Sequence, residues 1–118
     1  MLLALGCAAE LKRAPVSFTP ATGGEARTLR VRETVSVTPS TGYGRQIRAG
    51  STWRLVGSLP QGDVYRPVGD VFTVEGANVH EAYLVLAQGR VVGFYLPGEA
   101  AYAPLRDGVA LPTDEGVP

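Results

Sequence analysis

The one histidine of the chain, His80, is followed directly by an acidic residue, Glu81. Histidine and carboxylate side chains are the usual groups for general acid–base chemistry near neutral pH. The surrounding residues predict a β-strand, and neighbouring side chains on a strand point to opposite faces. His80 and Glu81 therefore cannot form a dyad with each other. A hydrolase that used His80 would need a nucleophile and a carboxylate from distant parts of the chain.

Other patterns give no support for an enzyme. The chain contains no GxSxG, HExxH, P-loop or GxGxxG motif. Asp63, Asp70 and Glu75 lie near predicted turns and could collect a cation, but their spacing matches no calcium-binding loop. The chain has a single cysteine, which excludes an internal disulfide. It also has a single histidine, so it has too few His and Cys side chains to form a metal site of these ligands alone. We therefore expect a non-catalytic protein with no metal or other cofactor.

Arginine is concentrated in one part of the chain. Residues 27–54 contain six arginines and one acid, a balance of +5, whereas residues 55–118 contain three arginines and eight acids, a balance of −5. One interpretation is that basic strands pair with acidic ones across a sheet. The alternative is a basic face that binds an anionic ligand. Such a face would contain Arg30, Arg32, Arg45, Arg48 and Arg54. Nucleic acid is not expected as the partner, because the isoelectric point is near neutral.

The first seven residues read MLLALGC. Leu3 to Gly6 leading into Cys7 resemble the lipobox of bacterial lipoproteins, although the apolar stretch is shorter than that of a full signal peptide. The resemblance implies that Cys7 is lipidated and holds the protein on a membrane. Ala8 after the cysteine implies the outer membrane, with the domain facing the periplasm. The alternative is a cytoplasmic protein in which Met1 is the true start, Cys7 is unmodified and residues 1–13 form a short helix.

Composition divides the chain into three parts. Residues 1–26 are expected to hold the truncated signal, the lipobox and a flexible tether, because the segment PVSFTPATGG is rich in Pro, Thr and Gly. Residues 27–105 are expected to form a β domain, and residues 106–118 a flexible polar tail.

The domain itself is expected to be all-β. Fifteen glycines and nine prolines in 118 residues indicate many turns. The segment Thr28–Thr38 alternates apolar and polar residues, as a half-buried strand does, and places Glu33 on the apolar face unless a bulge turns it outward. Further short segments bring the count to six or seven mostly antiparallel strands. A single small barrel or sandwich is predicted, with SH3-like barrels as the nearest in size.

The longest apolar run, Val79–Leu96, is predicted to be a central hairpin with a two-residue loop at Gln88-Gly89. Simple pairing across that loop leaves both faces apolar. One face would carry Tyr83, Val85, Val92, Phe94 and Leu96, and the other Ala82, Leu84, Leu86, Val91 and Tyr95. A small sheet readily covers only one face, so the open face is predicted to contact a partner.

The predicted partner surface has Gly93 and Tyr95 at its centre, with Trp53 or Tyr43 nearby. The sequence therefore favours a non-catalytic cell-envelope lipoprotein, a small β module that contacts an envelope protein or polymer. A homo-oligomer is a further possibility for the same apolar face. The alternative function is the binding of an anionic ligand by the arginines. A hydrolase using His80 is the third hypothesis.

Overall fold

The structure is a computed structural model that describes residues 9–23 and 27–115. Cys7 and its lipobox lie outside these residues. The described chain is all-β and contains no helix. Its thirteen strands, against the six or seven predicted, are β1 Ala14–Pro15, β2 Thr19–Pro20, β3 Thr28–Val31, β4 Val35–Val37, β5 Arg45–Ile47, β6 Thr52–Leu59, β7 Gly62–Pro67, β8 Thr73–Glu75, β9 Val79–Glu81, β10 Tyr83–Ala87, β11 Arg90–Leu96, β12 Ala101–Ala110 and β13 Thr113–Glu115.

Nine of the strands form one antiparallel sheet. Its order is β1-β12-β11-β10-β7-β6-β3-β13, and β2 pairs separately with β6. The remaining strands form two small antiparallel pairs, β4 with β5 and β8 with β9. Within the described residues the main sheet is an open path with different strands at its two ends, so the closed SH3-like barrel stays a prediction.

The predicted strand Thr28–Thr38 is interrupted. β3 ends at Val31 and β4 begins at Val35, with a bend between them that leaves Glu33 exposed. The break sends β3 to the main sheet and β4 to β5. Glu33 therefore faces solvent and is not a buried carboxylate.

The central hairpin forms around Gln88-Gly89 as predicted, because both residues have positive φ, 54° and 76°, as a type I′ turn requires. Its register differs from simple pairing. Leu86 pairs with Val91, but Val85 pairs with Gly93, so Val92 is an additional bulged residue. A bulge reverses the alternation beyond it. Consequently Phe94 joins the face of Leu84 and Leu86, and Tyr95 joins that of Val85, the opposite of the predicted assignment.

The two faces of the hairpin enter two separate apolar clusters. The inner cluster is the main core and contains a chain of aromatic rings, with Trp53 5.5 Å from Phe72 and Phe72 5.9 Å from Phe94. The strand pairs β4–β5 and β8–β9 cover this side with Val37, Ile47 and Val74, all buried. Such core side chains each contribute about 1.5–3 kcal/mol by burial.

The outer cluster is smaller and is covered by the N-terminal segment. Tyr95 and Val85 are buried in it, and Val16 and Phe18 pack against them from outside. The rings of Phe18 and Tyr95 stack with centroids 4.9 Å apart. The predicted open face of the hairpin is thus largely covered by the same chain.

Both segments predicted to be flexible contribute strands where they are described. In the predicted tether, β1 pairs with β12 and β2 pairs with β6. In the predicted tail, β12 continues to Ala110 and β13 pairs with β3. The partners of β1, β2 and β13 lie more than thirty residues away along the chain, so local composition gave no indication of these pairings.

Candidate functional site

The residues predicted to contact a partner do not form one surface. Trp53 is 2% exposed and belongs to the inner core, whereas Tyr95 belongs to the outer cluster beneath Phe18. Tyr43 is 47% exposed on the loop before β5. Gly93 is buried under another residue of the chain, because a Cβ added there would lie 2.6 Å from the hydroxyl of Tyr102.

His80 is buried and contacts two partly exposed charged residues, Glu99 and, through it, Arg13. Its Nδ1 contacts Oε2 of Glu99 in the turn between β11 and β12. The other carboxylate oxygen of Glu99 lies 2.6 Å from Nε of Arg13. Arg13 also donates a 2.8 Å hydrogen bond to the carbonyl of Leu11. The cluster therefore joins β9, the turn and the N-terminal segment.

The charges in this cluster stabilise ionised Glu99. Burial is the largest single influence and raises its pKa, but the hydrogen bond and charge of His80, followed by those of Arg13, together hold the pKa below its usual value. Glu81 is exposed on the opposite side of the strand, as the alternation predicts. The partner of Nδ1 of His80 is thus a carboxylate, not a nucleophilic hydroxyl or thiol.

The acidic residues give no metal centre in the described part of the chain, where no group of three or more His, Cys, Asp or Glu could hold an ion. Asp70 accepts a 2.7 Å hydrogen bond from the backbone N–H of Val71. The carboxylate of Asp70 thus accepts a hydrogen bond from the next residue of the same loop.

The five predicted anion-binding arginines divide into separate groups. Arg30 and Arg32 lie at β3 and the bend after it, and Nε of Arg32 is 3.7 Å from a carboxylate oxygen of Asp114. Arg54 lies on the exposed side of β6. Arg45 and Arg48 come together beside a pocket of about 430 Å³. That volume is within the range of small-molecule sites.

This pocket, which we call the Arg45 pocket, lies between the β5 strand with its following turn, the start of β6, and the loop after β7. Its lining residues are Arg45, Gln46, Ile47, Arg48, Gly50, Ser51, Thr52, Trp53, Pro67, Val68, Gly69, Asp70, Val71 and Phe72. Alternation on β5 places Ile47 in the core and directs Arg45 to the same side at the strand's start.

Arg45 is held against an aromatic wall. Its guanidinium carbon lies 4.8 Å from the centroid of Phe72, a cation–π distance. The Nε atom is buried and has no hydrogen-bond partner within the described chain. A buried guanidinium N–H without an acceptor is costly, because the group has lost water without gaining a substitute. An anion beside this guanidinium would offset the cost through its opposite charge.

The remaining walls combine fixed polar groups with exposed apolar ones. Ser51 donates to the carbonyl of Arg48 at 2.6 Å and accepts from Nε1 of Trp53 at 3.0 Å, which fixes the turn. Val68 and Val71 are 53% and 66% exposed, and they are half of the exposed large apolar side chains found in the described residues. Their position at the rim gives the pocket an apolar entrance.

The sequence singled out Arg45 and Arg48 for anion binding, and Trp53 and Asp70 for other roles, but not the rest of the pocket. Phe72, Val68 and Val71 come from a loop more than twenty residues later in the chain. The one local signal was the break at Pro67, since proline ends a strand and leaves the following residues free to form a loop.

No helix in the described residues is long and apolar enough to cross a membrane. Comparison with known proteins found no matching family model, no matching curated protein and no matching solved structure.

Proposed function

We propose that this protein is a non-catalytic binding module for an anionic ligand with an apolar body, and that the Arg45 pocket is its site. The observation that carries the proposal is the buried Nε of Arg45, which has no hydrogen-bond partner in the described chain and lies beside an aromatic wall. A carboxylate or similar monoanion would pair with the guanidinium of Arg45, and Arg48 would add a second positive charge.

The charge of the pocket favours a singly charged ligand. Arg45 and Arg48 contribute two positive charges, and Asp70 at the rim contributes one negative charge. The exposed side chains of Val68 and Val71 would cover the apolar part of the ligand. The apolar body of the ligand would therefore contact Val68 and Val71, and its single anionic group would lie at the arginines.

Trp53 provides the test, because it is the single tryptophan of the chain and lines the pocket. Tryptophan fluorescence would be recorded while the full chain is titrated with octanoate, and separately with the neutral alcohol octanol. We expect a saturable change with octanoate and an affinity at least about tenfold weaker for octanol, since the charge-assisted hydrogen bond is lost.

Two variants make the test specific. Arg45→Met keeps the aliphatic stem but removes the charge, and we expect it to bind octanoate and octanol equally weakly. Arg90→Gln removes the same charge from a side chain outside the pocket, whose guanidinium bonds the carbonyl of Gly108, and should bind like the natural chain. Equal binding of octanoate and octanol by the natural chain would refute the proposal.

We also propose that the module is a lipoprotein of the cell envelope, anchored through Cys7 to the outer membrane and facing the periplasm. The LALGC sequence supports this location. The carbonyl of Ala9 already accepts a 2.9 Å hydrogen bond from Ala77. Two residues span at most about 7 Å, so an acylated Cys7 would hold the domain close to the bilayer.

The location is tested by expressing the gene with its upstream codons and measuring membrane partition and acylation, with Cys7→Ser as the control. Acylated, membrane-bound protein that becomes soluble in the variant is the expected result. A soluble, unacylated natural chain would favour the cytoplasmic alternative and would leave the ligand proposal intact.

A further inference from the structure

On the outer face of the main sheet, side chains from six adjacent strands lie opposite one another and form a row that crosses the strands. Strand pairing places Thr28 opposite Arg54, Arg54 opposite Arg66, and the tyrosines of β10, β11 and β12 opposite one another. From β3 to β12 the row reads Thr28, Arg54, Arg66, Tyr83, Tyr95 and Tyr102. The three tyrosines form an aromatic half, and the other half is basic through Arg54 and Arg66, with the uncharged Thr28 at its end.

Arg54 and Arg66 form the basic half as a directly opposed pair of like charges. Both side chains are exposed, and neither makes a hydrogen bond or ion pair to another described residue. Opposed side chains on neighbouring strands have Cβ atoms only about 4.5–5.5 Å apart, and like charges at that spacing destabilise a sheet. The guanidinium of Arg66 lies 6.0 Å from the ring centroid of Tyr83, which draws it towards the aromatic half.

A shallow depression of about 400 Å³ lies beside the pair. It is lined by Arg54, Val56, Arg66, Pro67, Val68 and Gly69. Unlike the Arg45 pocket, it has no carboxylate in its lining, so its charge is that of two guanidinium groups. Beyond it the N-terminal segment covers the sheet, because Phe18 packs over Gly57.

We propose that Arg54 and Arg66 form a second binding site, for a phosphate group. A phosphate monoester carries about −1.5 to −2 charges near neutral pH and can accept from both guanidinium forks. It would neutralise the repulsion between the two arginines, whereas a carboxylate would neutralise only one of them. The source of the group is a soluble phosphate ester or a lipid headgroup. The site shares the loop residues Pro67, Val68 and Gly69 with the Arg45 pocket, but its two arginines are different ones.

The proposal is tested with inorganic phosphate as the probe. Isothermal titration of the full chain at pH 7.5 and constant ionic strength, with chloride as the balancing anion, should show saturable binding. Arg54→Gln and Arg66→Gln should each lower the affinity at least about tenfold, because each removes charge-assisted hydrogen bonds. Arg90→Gln makes the same change of net charge elsewhere and should stay within about twofold, since distant surface charges are screened.

A second arm identifies the source of the phosphate. Co-sedimentation with phosphatidylcholine vesicles containing phosphatidic acid would be compared with phosphatidylcholine alone. Retention that Arg66→Gln abolishes supports a lipid headgroup, and phosphate binding without vesicle retention supports a soluble ester. Absence of saturable phosphate binding, or an equal loss in Arg90→Gln, overturns the proposal and leaves the Arg45 pocket unaffected.

Discussion

Tyr102 covers Gly93 on the neighbouring strand, and its hydroxyl donates a 3.1 Å hydrogen bond to the carbonyl of Val92. The glycine leaves a gap in β11, and the tyrosine ring fills it from β12. Burial of the hydroxyl raises the pKa of Tyr102 above its usual value. The gap that the sequence suggested as a contact for a partner is therefore filled from within the chain.

Gly93→Ala is expected to lower the free energy of unfolding by about 1–3 kcal/mol, as overpacking does. The added Cβ would lie 2.6 Å from both the carbonyl oxygen of Ala103 and the hydroxyl of Tyr102, so the backbone itself would have to move. Urea denaturation followed by circular dichroism measures the change. Gly98→Ala is the matched control, since a Cβ there meets no atom within 4 Å, and it should stay within about 0.5 kcal/mol. Equal stability of the two variants would contradict the packing of Tyr102 on Gly93.

Phe18→Ala is expected to cost about 2 kcal/mol, roughly half of the cost for a fully buried phenylalanine. Its ring is half-buried, stacks on Tyr95 at 4.9 Å and occupies the gap over Gly57. Limited proteolysis should also cut residues 14–20 faster in the variant, because that segment loses its apolar contact. Tyr43→Ala, which removes an exposed aromatic ring, should change neither measurement. A freely cleaved N-terminal segment in the natural chain would support the flexible tether predicted from composition.

Glu99 is expected to make stability depend on pH in the acid range. Its pKa is lower in the folded protein than the ordinary value of 4.5, so the folded state binds this proton less readily than the unfolded state. The contribution is fully present above pH 4.5 and is lost as the pH falls through the lower, folded-state pKa. Thermal unfolding between pH 7 and the acid limit, compared with Glu99→Gln, measures it.

The variant should be less stable near neutral pH and should approach the natural chain at low pH. Glu10→Gln serves as the control. The carboxylate of Glu10 also lies near Arg13, at 3.4 Å, but its side chain is 67% exposed. A constant difference between Glu99→Gln and the natural chain at every pH would show that packing, not ionisation, is responsible.

Gln88→Asn is expected to stabilise the central hairpin by about 0.5–1 kcal/mol, because asparagine tolerates positive φ better than glutamine. Gln88 has a φ of 54°, whereas Gln61, in the turn between β6 and β7, is not among the residues with positive φ. Gln61→Asn should therefore give no gain. The midpoint of urea denaturation distinguishes the two variants, and equal midpoints would argue against the type I′ turn.

The central hairpin shows how far local residue patterns reach. Apolar runs on both sides of Gln88-Gly89 predicted the turn and its flanking strands, and these are confirmed except at Val79–Glu81, which form β9 and pair with β8. The bulge at Val92 was not predicted, because residues 91–96 are apolar throughout and no alternation marks the register. Pro104 pairs with Gly93, but Arg106 then donates to the carbonyl of Thr38 on a different segment. β12 thus leaves β11 for several residues, at the same place where β11 bulges against β10.

The sequence by itself determined that this protein is all-β, that its hairpin has two apolar faces, and that arginine is abundant before residue 55. Alternation, turn residues and composition are local properties, so they are readable without coordinates. The tertiary structure decided which arginine meets which ring. Arg45 lies against Phe72, Arg66 lies near Tyr83, and the ring of Phe18 covers Gly57. These contacts depend on strand order and on bulges, and both arise from pairings between residues far apart in the chain.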